Sequence, residues 1–201
     1  MNIISNKKLI RGKYIDVLLR SSQTVFTNKD MAILWCDNDH KAIVSRLKQY
    51  VKSGSLIRLR RGIYVKDNNY NKLELATRIN MPSYVSFETV LTRSGVNFQY
   101  YSNIYIASYL NREIIIDKQK YSFVRMKDYV LSNTLGINHT DGMPIATAER
   151  AFLDRLYVDK DYYVDNIRSL NWEKVLEISK IYHNKRLENK VKEYYKQYKT
   201  A

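Results

Sequence analysis

TVFTNKDMAILWCDNDHKAIVSRLKQYVKSGSLIRLRRGIYV, residues 24–65, contains the change of period that decides the fold of the N-terminal part. Thr27 reads as a helix N-cap: its hydroxyl can accept from the free backbone N–H groups of a helix whose third residue is Asp30. That helix carries Met31, Ile33, Leu34 and Trp35. After the polar turn Cys36–Asn38, Asp39 is placed to cap a second helix over residues 40–52. Ser53–Gly54 ends it, glycine supplying the left-handed residue common just past a helix C-terminus. Beyond the glycine, the spacing becomes alternating. Leu56-Ile57-Arg58-Leu59 and Ile63-Tyr64-Val65 read as two short strands joined around Arg60-Arg61-Gly62.

Outward from this stretch, a helix is expected over residues 7–20, with Ile10, Tyr14, Ile15, Val17 and Leu18 as its apolar side, followed by an extended piece at Thr24–Phe26. Three helices and then a hairpin is the order of a winged helix-turn-helix. Asp67-Asn68-Asn69 marks a boundary, giving domains at 1–66 and 67–201. The second domain reads as mixed, with helices near 73–79, 85–94 and 147–157 and two more capped by Asn171 and Asn184. Strands are expected at 104–108, 113–116 and 121–126, with a loop at Asp141-Gly142-Met143-Pro144. Strands separated by turns rather than helices favour a small antiparallel sheet, so the expected class is α+β.

Charge is distributed unevenly. The chain carries a net +14; residues 1–66 hold 14 Lys/Arg against 4 Asp/Glu, whereas residues 67–201 hold 20 against 16. Between His40 and Lys66 there are eight basic residues and no acidic one. Such a local excess suits a polyanion, because each neutralised phosphate releases condensed counterions. On a helical wheel of residues 40–52, Ile43, Leu47, Tyr50 and Val51 share one side. Lys41, Ser45, Lys48, Gln49 and Lys52 fall opposite, a cationic face with hydrogen-bonding groups that can reach phosphates and base edges. An ordinary solvated face has the same pattern. Arg58, Arg60 and Arg61 concentrate charge on the hairpin, where arginine can follow phosphates or enter a narrow minor groove. Charges that protect an edge hairpin would look similar. The helix and hairpin share one sign in the expected order. The expected partner is therefore double-stranded DNA, with Lys41 and Ser45 nearest the bases.

Other chemistry is sparse. His40, His139 and His183 are far apart and in no metal-ligand spacing. No phosphate-cradling glycine loop, Gly-x-Ser-x-Gly elbow or Cys/His pair is found. Neither an enzyme, a metal site nor a cofactor is expected. Glu149 and Asp154 are five apart in one helix, about 140° around it, which is poor for a shared site. They read instead as a first-turn carboxylate and an ion pair of Asp154 with Arg150. Ser86 and Glu88 read as capping groups. Tyr100, Tyr101, Tyr105 and Tyr109 fit either base stacking or, preferably, the two faces of a half-buried strand. Leu187, Val191, Tyr194 and Tyr198 give the last helix a docking face. The single cysteine, Cys36, and the lack of an apolar run of about 18 residues fit a cytoplasmic protein without signal peptide or membrane span.

The runs TVFTNKDMAILW and LIRLRRGIYV, with the intervening helix ending in a Ser-Gly turn, resemble the N-terminal domain of AbiEi-type antitoxins. SYVSFETVLTRSGV and MPIATAERAFLDRLY continue the likeness, which spans roughly residues 22–160. These are transcriptional regulators of bacterial abortive-infection toxin–antitoxin operons. The resemblance implies a repressor that binds inverted repeats in its own promoter. It further implies a C-terminal domain opposing a nucleotidyltransferase-like toxin without a stable complex, the type IV arrangement. The chain departs from the family in its short helical region past residue 160, and no antitoxin residue transfers. The alternative is an interaction protein or RNA-binding module whose basic part docks an acidic partner.

Overall fold

The computed structural model describes residues 13–200, and the chain divides into two compact units between Ile79 and Asn80. The first unit contains α1 (Lys13–Arg20), β1 (Val25–Thr27), α2 (Asn28–Leu34), α3 (His40–Lys52), β2 (Ile57–Arg60), β3 (Ile63–Val65) and α4 (Lys72–Ile79). The earlier part of the helix expected over 7–20 lies outside the described residues. The extended piece after α1 is a strand, and the three strands form an antiparallel sheet in the order β1-β3-β2. Val25 lies opposite Val65 and Thr27 opposite Ile63.

Local hydrogen bonding fixes the helix ends. Thr27 Oγ1 accepts the Asp30 N–H at 3.3 Å, and the Thr27 N–H donates to Asp30 Oδ2 at 2.7 Å. This reciprocal capping satisfies two otherwise free donors. Asp39 Oδ1 accepts the Ala42 N–H at the start of α3. Gly54, at φ +74°, lets the chain leave α3 in a conformation that L residues avoid. The core gathers Tyr14, Leu18, Phe26, Met31, Trp35, Ile43, Leu47, Leu56 and Tyr64. Burying side chains such as Ile43 and Leu47 contributes about 1.5–3 kcal/mol each. Ile33 departs from the expected apolar side of α2; it is 76% exposed.

The division after Ile79, later than the expected boundary after Lys66, follows from the contacts of α4. Its buried Glu74 accepts from the Thr24 N–H at 2.9 Å and the Thr24 hydroxyl at 2.6 Å. Arg78 pairs with Asp30 at 2.7 Å, using the carboxylate oxygen left free by the cap. Both anchors reach back about fifty residues, a pairing that local sequence pattern does not signal.

The second unit contains β4 (Ser83–Val85), α5 (Glu88–Arg93), β5 (Ile104–Ser108), β6 (Arg112–Ile116), β7 (Gln119–Arg125), α6 (Asp128–Leu131), β8 (Ile137–Thr140), β9 (Met143–Ala146), α7 (Ala148–Val158), α8 (Trp172–Ser179) and α9 (Lys185–Thr200). The chain is thus of mixed α+β class. The sheet has the order β6-β7-β5-β4-β9-β8. It is mixed rather than antiparallel, because β5–β7 and β4–β9 pair in parallel. The helix expected over 85–94 is shorter, its first part being the end of β4 and a turn with Phe87 at φ 54°. The expected loop at 141–144 is the tip of a β8–β9 hairpin. Asp141 and Gly142, at φ 51° and 76°, take the positive angles of a two-residue turn.

A buried polar network ties this sheet to α7. Asp154 accepts from Ser86 Oγ at 2.7 Å, Tyr182 Oη at 2.7 Å, Tyr84 Oη at 3.1 Å and Arg150 Nε at 3.3 Å. Arg150 also donates to the carbonyls of Val130 and Leu135, and both charged side chains are fully buried. The expected Arg150–Asp154 ion pair is therefore present. Burial pushes the Asp154 carboxyl up, opposed by Arg150 and the three hydroxyls. Burial alone would lower Arg150, but Asp154 and the tyrosines outweigh it and hold the guanidinium above its ordinary value. Ser86 and Glu88 do not cap α5. Ser86 serves Asp154, and Glu88 pairs with Arg155 at 2.8 Å. Glu149 accepts the Asn171 N–H, and α9 docks through Leu187, Val191 and Tyr194. Among the described residues, no helix is long and apolar enough to cross a membrane.

Candidate nucleic-acid interface

The turn between α2 and α3 is held by an ion pair that sets how α3 projects. Asp37 is buried; its Oδ1 accepts the Asp39 N–H at 3.0 Å and its Oδ2 pairs with Arg46 at 2.7 Å. The Arg46 guanidinium also lies over the Tyr14 ring, 4.2 Å from the centroid. The fully buried Trp35 closes the same corner, its indole N–H donating to the Tyr14 carbonyl at 2.9 Å. Burial raises the nearby Tyr50 hydroxyl, with Arg46 opposing. Arg46 is thus committed to the core side of α3. On the wheel it flanks Tyr50, which was the available signal.

With the core side fixed, the opposite side of α3 faces outward. Lys41, Ser45, Lys48, Gln49 and Lys52 are all exposed. The hairpin adds its arginines beside this helix. A groove of about 420 Å³ runs between α2, α3 and the β2–β3 hairpin, lined by Asn28, His40, Val44, Lys48, Arg58, Arg61, Gly62 and Tyr64. It brings Lys48 of α3 together with Arg58 and Arg61 of the hairpin. Among the described residues, none of these three cations is paired with a carboxylate. A concave, positively lined site with partly apolar walls focuses potential on an anion more than a flat surface does.

Arg60 stands apart. The β2–β3 register shifts between Arg58, opposite Tyr64, and Arg60, opposite Ile63. The irregularity breaks the period of two, so Arg60 does not share the side of Arg58; it is half-buried and does not line the groove. Gly62, at φ +78°, makes the tight return that puts Arg61 at the tip. Lys41, Ser45, Gln49 and Lys52 also lie outside the groove, on the exposed face farther around α3. Asn28 and His40 are additions that sequence reasoning passed over, although on the wheel His40 precedes Val44 and Lys48 along the groove-side flank.

Lys66, the last basic residue of the run, is structural. Its ammonium donates to the carbonyls of Leu19 and Ser21 at the end of α1, where helix carbonyls lack partners. The tyrosines of 100–109 divide: Tyr105 is in β5 and meets Tyr101 edge-on, while Tyr100 is 81% exposed. Among the described residues, no group of three or more His, Cys, Asp or Glu side chains could hold a metal ion.

No family model matches the chain, and neither does any curated protein. Among solved structures it is similar to the RV2827C protein of Mycobacterium tuberculosis, at 10% identity and a TM-score of 0.47, over 86% of this chain and 73% of that one. A likeness at that level carries no functional argument.

Proposed function

We propose that the protein is a sequence-specific, double-stranded DNA-binding repressor whose first unit acts as a winged helix-turn-helix. The observation that carries this reading is the groove in which Lys48, Arg58 and Arg61 converge from two elements. In this reading α3 enters the major groove. Lys41, Ser45, Gln49 and Lys52 address base edges and adjacent phosphates, and the hairpin grips flanking backbone as the wing. Repression is steric and non-enzymatic, the bound protein excluding polymerase from its promoter. The resemblance of residues 22–160 to AbiEi-type antitoxins further supports autoregulation at inverted repeats. By the same resemblance, the second unit opposes a nucleotidyltransferase-like toxin without forming a stable complex with it.

Footprinting on the DNA upstream of the protein's own gene tests the proposal. The reading expects protection of a paired, inverted site, and competition by duplex but not by single strands. Protection that single-stranded RNA competes away would favour an RNA-binding module. No protection anywhere would leave the basic unit with an acidic protein partner.

A further inference from the structure

The second unit carries its net positive charge on one helix. From Asn80 onward there are 18 Lys/Arg against 14 Asp/Glu, and α9 alone has six against two. Outside α9 the unit holds 12 of each sign, so the whole excess lies on this helix. Its other side is docked through Leu187, Val191 and Tyr194, which confines the charge to the outer surface. Lys185, Arg186 and Lys190 of α9 and Lys160, just past α7, line a concavity of about 470 Å³ together with the apolar Leu156 and Leu187 and one carboxylate, Glu193. That volume lies in the range of small-ligand sites, about 300–1,000 Å³.

We propose that this groove binds phosphate groups, of a free nucleotide or of a polynucleotide backbone. The end of α7 would ordinarily oppose an anion, because its last carbonyls carry the negative pole of the helix. Arg186 removes that obstacle: its Nη2 donates to the carbonyls of Tyr157 at 2.8 Å and Leu156 at 3.4 Å. Lys185 has no carboxylate partner among the described residues. Lys160 meets Asp161 only at 3.9 Å, with both side chains mostly exposed, so its charge is available to a ligand. Lys190 pairs with Glu193 at 3.3 Å. An ammonium serves phosphate as a point charge without demanding a fixed geometry.

The test is a titration of the isotope-labelled full chain with inorganic pyrophosphate, followed residue by residue through backbone amide resonances. Saturable shifts confined to residues 156–160 and 185–193 are expected. Lys160→Gln with Lys185→Gln should raise the apparent Kd by about tenfold or more, corresponding to ~1.4 kcal/mol. Both side chains are exposed, so unchanged shifts at the buried Phe152, Val175 and Ile178, outside the groove, should report an intact fold. Parallel titrations with a nucleoside triphosphate and a short single-stranded oligonucleotide distinguish the sources, the lower saturating concentration identifying which phosphate the groove takes. Shifts that are linear and scattered, or equal affinity in the double variant, overturn the proposal.

Discussion

Replacing Lys48, Arg58 and Arg61 together by alanine should change how DNA affinity depends on salt, by an amount that can be worked out beforehand. Each phosphate neutralised on B-form DNA contributes about 0.9 to the slope of log affinity against log salt. Three cations line the groove, without carboxylate partners among the described residues. If each meets one phosphate, their removal should flatten the slope by close to three. Between about 50 and about 200 mM salt, one contact corresponds to roughly 3.5-fold in affinity and three contacts to roughly 40-fold. Anisotropy with a labelled scrambled duplex, repeated over that range, measures the slope without involving base recognition. Arg60→Ala is the internal control: half-buried and outside the groove, it should change the slope by less than about half a unit. A triple variant whose slope equals that of the parent would show that the groove does not hold backbone.

Three further outcomes follow from the packing. Arg46→Ala removes the ion pair of the buried Asp37 carboxylate, which keeps its Asp39 N–H, and uncovers the Tyr14 ring; it should cost about 2–3 kcal/mol in urea unfolding, and a loss below about 0.5 would contradict a stabilising ion pair. Asp154→Ala strands Arg150 in a fully buried site with three hydroxyls; a loss of about 3–5 kcal/mol is expected, and a neutral effect would contradict the network. At alkaline pH, burial and the neighbouring Tyr129 push the Tyr157 hydroxyl up to about 12, and burial raises Tyr84 and Tyr182 as well. Raised folded-state values mean that this stability is complete below the ordinary tyrosine value of about 10 and is lost as pH climbs through about 12. Across that window unfolding midpoints should fall as tyrosinate absorbance rises; tyrosines all titrating near 10 in the folded protein would contradict the burial.

What the sequence made legible was local. Thr27 with Asp30, Asp39 before α3, and Asn171 and Asn184 before the last helices announce themselves because a capping side chain and the N–H that donates to it lie three residues apart. The cationic face of α3 was legible for the same reason, since helical periodicity alone places it. Partners far apart in the chain were not legible. Ser86 resembles a cap until Asp154 arrives from α7, and the two anchors of α4 depend on Thr24 and Asp30. Strands β4, β8 and β9, three or four residues long, were passed over, although Asp141-Gly142 is a turn pair that marks a hairpin. β9 also contains Pro144, which argues against a strand when read alone. In the site, the separation of Arg60 from Arg58 and Arg61 arises from a register shift, and a hairpin's composition does not reveal its register.

The most direct test of the central claim compares the full-length protein's affinity for the duplex upstream of its own gene with that for a scrambled duplex of equal length, at near-physiological salt. Sequence-specific repression predicts a preference of about tenfold or more for the native duplex, ~1.4 kcal/mol. Equal affinity for both would contradict autoregulation, and no binding to either would contradict DNA recognition itself.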